Sequence, residues 1–115
     1  MIKIKGKLYI CPSPIGNLED ITFRVVRVLR EADLVAAEDT RHTRKLLTHY
    51  EIHTPVTSFH QHSSPGQTEK LLSTILTGKN IALISDAGTP AISDPGQTLI
   101  KACIDQGIEI GRAHV

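Results

Sequence analysis

Short apolar runs alternate with helical stripes along the whole chain. Residues 8–11, 34–37, 56–59 and 81–84 are runs dominated by apolar side chains rather than strict alternations. That is the pattern of strands covered on both faces of a parallel sheet. Between them, Ile21, Val25, Val28, Leu29 and Ala32 recur on one helical face, and Leu46, Leu47 and Tyr50 form a shorter one over roughly residues 40–50. Leu71, Leu72, Ile75 and Leu76 mark a third helix, and Leu99, Ile100, Cys103 and Ile104 a fourth.

The punctuation agrees. Pro12 and Pro14 close the first run, because proline removes a backbone donor and restricts its neighbour. Asp20 is the expected N-cap of the first helix, and Gly78 suits the position just past the third, where a left-handed conformation costs glycine little. Asp94 and Pro95 read as N-cap and first residue of the fourth helix. Gly107 ends it, and residues 108–110 begin a fifth strand.

Strand and helix thus alternate four times. The pattern predicts an α/β fold: a mostly parallel five-stranded sheet with helices on both faces and right-handed crossovers. Residues 111–115 break the apolar pattern, so residues 1–110 are expected to form the domain and 111–115 a cloning-junction or truncation tail.

Composition narrows the function classes only a little. The 115 residues are enough for one core without disulfides, and 40% hydrophobic with 22% charged residues is ordinary for a globular domain. The net charge of +1 gives no global nucleic-acid footprint, although Arg41, Arg44 and Lys45 cluster locally. With two Phe, two Tyr and no Trp there is little aromatic surface for stacking bases. Cys11 and Cys103 lie in apolar surroundings without a C-x-x-C pair, which points to a reducing, cytoplasmic setting. No stretch is long or apolar enough for a signal peptide or a membrane span.

The chemistry concentrates where strands end. Residues 85–96, SDAGTPAISDPG, contain two small, polar, Gly- and Pro-bearing turns just beyond the fourth apolar run. In open α/β sheets ligands bind outside the carboxyl ends of the strands, so this segment is a candidate ligand floor. Glu38, Asp39, Thr40 and Arg41 stand at the end of the second run. One acid capping the next helix and the other pairing with Arg41 would account for them. Equally, a carboxylate there could take a proton or orient a hydroxyl, with Arg41 holding a phosphate. His60 and His62 have no evident partner ligands, and no metal is expected. The dinucleotide, P-loop, zincin and nucleophile-elbow motifs are all missing.

Three blocks, YICPSPIGNLEDIT, LVAAEDTRHT and ALISDAGTPAISDPG, follow one another in the order found in a family of small-subunit rRNA methyltransferases. Over about residues 6–110 the chain resembles the amino-terminal domain of that family, which lies within the tetrapyrrole-methylase-like class of S-adenosylmethionine enzymes. The resemblance implies a two-domain homodimer that methylates the ribose 2′-hydroxyl of a cytidine in the decoding region of 16S rRNA. Its partner is that rRNA or the assembled small subunit.

By the same resemblance, S-adenosylmethionine would lie against Pro14, Gly16, Asp86, Ala87, Gly88, Thr89 and Ile92. Glu38 and Asp39 become candidates for the base that takes the hydroxyl proton, and Arg41 and Arg44 candidates for RNA phosphates. The loop with His62, Ser63 and Ser64 departs from relatives that carry His followed by Asn and Glu. The family's second domain, which supplies the other wall of the cleft, is not among these residues, so the chain alone is expected to be inactive. Two alternatives remain: a tetrapyrrole C-methyltransferase of the same class, or a non-catalytic α/β signalling or binding module.

Overall fold

The computed structural model describes residues 4–14, 17–60, 66–85 and 94–112. Within them the elements run β1 (Lys7–Pro12), α1 (Phe23–Glu31), β2 (Leu34–Ala37), α2 (Thr40–His49), β3 (Val56–Ser58), α3 (Gly66–Leu76), β4 (Ile81–Ser85), α4 (Asp94–Asp105) and β5 (Glu109–Arg112). All pairings are parallel, and the strand order is β3-β2-β4-β1-β5. The predicted α/β class and five-stranded parallel sheet are what the molecule has.

The strand order explains how the helices are distributed. The chain moves one way across the sheet from β1 to β2 to β3, then the other way to β4 and β5. With right-handed crossovers the first two helices must cover one face and the last two the other. The core divides accordingly. Cys11, Val35, Ala37, Ala82 and Ile84 of the sheet pack with Val25, Leu29, Leu46 and Leu47 of α1 and α2. Leu8, Ile10, Ala36, Ile81 and Leu83 pack with Leu71 and Ile75 of α3 and Leu99 and Cys103 of α4. Every residue of β4 is buried, as its unbroken apolar run requires of a central strand.

Four boundaries differ from the sequence expectation, three of them for visible reasons. Thr22, not Asp20, caps α1: its Oγ1 accepts from the Val25 N–H at 3.1 Å. Asp20 is held back in a separate turn, where its N–H donates to the Asn17 carbonyl and the Asn17 side chain accepts from the Glu19 N–H. β1 includes Pro12. The Ser13 N–H points to β4, so the missing donor of Pro12 faces β5, whose last partner is Ile10, and no ladder bond is lost. β5 runs to Arg112, with Gly111 level with Tyr9 and Arg112 with Ile10, so the sheet takes in two residues that the apolar pattern leaves outside the strand. α4 starts at Asp94 itself.

Asp39 caps α2, with its carboxylate accepting from the His42 N–H at 3.1 Å. Gly78 follows α3 with φ 105° and donates its N–H to Ile75, as a glycine C-cap should.

Candidate functional site

The two edges of the sheet treat their polar groups differently. At the amino edge they satisfy one another. The Lys7 N–H donates to Asn80 Oδ1 at 2.9 Å, the Asn80 N–H to Asp33 Oδ2 at 2.8 Å, and the Asp33 N–H to the Asn80 carbonyl at 2.9 Å. These bonds clasp the starts of β1, β2 and β4.

At the carboxyl edge they do not. β2, β4 and β1 end side by side at Ala37, Ser85 and Pro12, and the Ser13 N–H donates to the Ser85 carbonyl at 2.9 Å. The hydroxyls of Ser13 and Ser85, 3% and 6% exposed, have no hydrogen-bond partner among the described residues. Nor does the hydroxyl of Thr43, wholly buried on α2. An unpaired buried hydroxyl costs about 1–3 kcal/mol, so the two at this edge and the third on the neighbouring helix are polar groups that the described fold leaves unsatisfied.

The sequence-predicted residues fall around this edge unevenly. Pro14 is buried directly after Ser13. Gly16, Asp86, Ala87, Gly88, Thr89 and Ile92 lie outside the described residues, as does His62. Glu38 is half-buried one residue past the end of β2, and Asp39 is exposed but committed through one carboxylate oxygen to the α2 cap. Arg41 pairs with neither acid; the ion pair found among the described residues is Lys7–Glu109, at 3.3 Å. Arg41 and Arg44 instead line a groove of about 730 Å³ on the outer side of α2, with Lys45 and His49.

Sequence reasoning gave no site role to Ser13, Thr43 or His49, and noted Lys45 only as part of a local basic cluster. A serine at a strand end looks like any turn residue, and nothing local reveals that its hydroxyl is unpaired. Lys45 and His49 did carry a signal, because they repeat with Arg41 at helical spacing.

At the centre of the described edge, where β2, β4 and β1 end, stand two neutral hydroxyls and the carboxylates of Glu38 and Asp39, with Arg112 ending the outer strand β5, and residues 86–93 contain no Lys or Arg. Such a site suits a ligand bearing positive charge, as a sulfonium does, better than one bearing phosphates. Among the described residues no cluster of three His, Cys, Asp or Glu side chains could hold a metal ion, and no helix is long and apolar enough to cross a membrane.

The sequence profile of the tetrapyrrole (corrin/porphyrin) methylases matches residues 7–111. The chain belongs to that family. Among curated relatives, a Synechocystis protein named ribosomal RNA small subunit methyltransferase I is 56% identical over 105 residues, covering 91% of this chain and 38% of the relative. The proteins of that name from Halalkalibacterium halodurans and Bacillus subtilis are each 52% identical, covering 92% and 89% of this chain. This tetrapyrrole-methylase chain therefore spans little more than a third of those relatives' length and matches their amino-terminal part.

Two solved structures share its fold. Uroporphyrin-III-C-methyltransferase from Thermus thermophilus superposes with a TM-score of 0.73 at 19% identity, over 96% of this chain and 47% of that one. Cobalt precorrin-4 methyltransferase gives 0.74 at 20% identity, over 93% and 44%.

Proposed function

We propose that this chain is the amino-terminal domain of an S-adenosylmethionine-dependent methyltransferase acting on the ribose 2′-hydroxyl of a cytidine in the decoding region of 16S rRNA. The observation that carries the reading is the identity of about one half to relatives named as small-subunit rRNA methyltransferases, sustained across nine-tenths of the chain. The unpaired hydroxyls at the carboxyl edge support that edge as the cofactor wall. On this reading the whole protein works in the cytoplasm as a homodimer, with rRNA or the assembled small subunit as its partner.

When bound, S-adenosylmethionine supplies an electrophilic methyl group whose bond to sulfur breaks as the bond to the ribose oxygen forms. Ser13 and Ser85 would hold its polar atoms, beside Pro14, Gly16 and the 86–92 loop with Asp86, Ala87, Gly88, Thr89 and Ile92. Glu38, free of any cap, is the better placed of the two acids to take the hydroxyl proton. Asp39 fixes the start of α2 and keeps one oxygen available beside it. Holding the reacting groups in line would supply most of the acceleration, with the base contributing about 10²–10⁴-fold.

The test uses the full-length protein, labelled methyl donor, and two acceptors: small subunits from cells lacking the modification, and uroporphyrinogen. Label on a cytidine ribose is the expected result. Label on the tetrapyrrole alone would replace this reading with the C-methyltransferase alternative.

A further inference from the structure

The outer face of α2 has a charge pattern that its own fold does not explain. Arg41, Arg44, Lys45, Thr48 and His49 recur at i, i+3, i+4, i+7 and i+8, so they form one stripe, opposite the buried Thr43, Leu46 and Leu47. All five are exposed. α2 contains no acidic residue, and none of the stripe's cations forms an ion pair with a described acid. Arg41 and Arg44 sit in the first turns, where the helix dipole disfavours cations. Arg41 also repels Arg44 and Lys45 at the spacings where like charges weaken a helix. An isolated helix would gain from an acid at any of these positions.

The same side chains, with Thr40, wall the 730 Å³ groove, whose opposite side is Leu18. That side is fixed in place: the Tyr50 hydroxyl donates to the Leu18 carbonyl at 2.7 Å, and the turn around it is bonded within itself. Glu19 and Asp20 of the turn do not line the groove. The groove is therefore a shallow, open depression, cationic on its α2 side and bounded by Leu18 on the other.

We infer that this groove seats the phosphodiester backbone of a single-stranded RNA segment flanking the methylation target, with Lys45 and His49 as contacts beyond Arg41 and Arg44. The inference rests on the reading of the protein as an RNA-modifying enzyme. The stripe from Arg41 to His49 covers eight helical steps, about 12 Å, too long to converge on one small anion and suited to successive phosphates. Two arginine forks and an ammonium are the donors phosphates take. Position agrees, because α2 starts at Thr40, two residues past Glu38 at the carboxyl edge. A strand leaving the reactive crevice along α2 enters the groove directly.

The experiment uses the full-length protein and a fluorescent single-stranded oligonucleotide of decoding-region sequence, with Lys45→Ala, Lys45→Arg and, as an exposed control on α4, Lys101→Ala. Lys45→Ala should weaken binding about 10-fold near 0.15 M salt and reduce the slope of log K against log[salt] by about 0.7. Lys45→Arg should restore both, and Lys101→Ala should move neither. With small subunits as substrate, Lys45→Ala should raise KM for RNA more than it lowers kcat, with KM for the methyl donor unmoved. An unchanged salt slope, an equal loss from Lys101→Ala, or polyglutamate displacing the oligonucleotide at equal charge concentration would each overturn the inference. The two readings separate. Lys45-dependent RNA binding without methyl transfer to RNA would keep the groove and remove the proposed activity, whereas RNA methylation indifferent to Lys45 would do the reverse.

Discussion

The Ser13 N–H donates to the Ser85 carbonyl at 2.9 Å, which holds the ends of β1 and β4 level and brings two serines with unpaired hydroxyls to one edge of the sheet. The ladder alternation puts Ser85 on the face of Leu83, on the α3 and α4 side, so the edge is polar where the core immediately beneath it is entirely apolar.

A hydroxyl without a partner does not help the fold. Ser85→Ala is expected to leave stability unchanged or raise it by up to about 1 kcal/mol in urea denaturation, because it removes a buried group that gains nothing. In the full-length protein the same change should weaken methyl-donor binding several-fold by calorimetry. A loss of stability above about 1 kcal/mol would mean that the hydroxyl has a partner within the fold.

Asp39 and Glu38 are neighbours with separable roles. Asp39→Ala should cost about 1 kcal/mol of stability by removing the α2 cap, and Asp39→Asn should restore most of it, since asparagine caps equally well. Glu38→Gln should leave stability within about 0.5 kcal/mol. In the full-length protein it should slow methyl transfer about 10²-fold or more if Glu38 is the base. Equal rates for wild type and Glu38→Gln would remove Glu38 from the reaction.

How much of this was legible in the sequence follows from where each residue's partners come from. β4 could be read because a strand buried on both faces must be apolar throughout, and an acidic cap on α2 because Glu38 and Asp39 stand just before a helical stripe, though not which of the two supplies it. The start of α1 could not be settled, since Asp20 and Thr22 are both capping types and only the bonds around Asn17 decide between them. The extent of β5 was hidden because Gly111 and Arg112 join the sheet through backbone pairing at its edge, with Gly111 lying against the Tyr9 ring, so the pairing needs no apolar side chain. The unpaired hydroxyls were hidden for a different reason: lacking a partner depends on everything nearby in space. The cationic stripe was readable once the bounds of α2 were known.

Gly6 is required by close approach. Its N–H donates to the Ile75 carbonyl at 2.8 Å, and a Cβ there would fall on the Lys79 backbone carbonyl. Backbone cannot swing aside as a side chain can. Gly6→Ala should therefore destabilise the chain by about 1–3 kcal/mol in the same denaturation assay, whereas Gly66→Ala, with open space around it, should change it far less.

Both thiols are wholly shielded from solvent, and burial raises Cys11 from its ordinary 9.0 to about 12 and Cys103 to about 11. The unfolded chain releases these protons above pH 9 while the folded chain keeps them, so between those values the folded state binds more protons and stability must fall as pH rises. Below pH 9 the thiols impose no slope. From 9 to about 11 both contribute, each up to about 1.4 kcal/mol per pH unit, and from 11 to about 12 Cys11 contributes alone. The informative quantity is the difference between wild type and Cys11→Ala. The variant is less stable at neutral pH because of the cavity it opens, but its stability should fall less steeply above pH 9. Parallel curves would show that the Cys11 thiol ionises as readily in the fold as in the open chain, and that the α1 and α2 layer does not seal it from water.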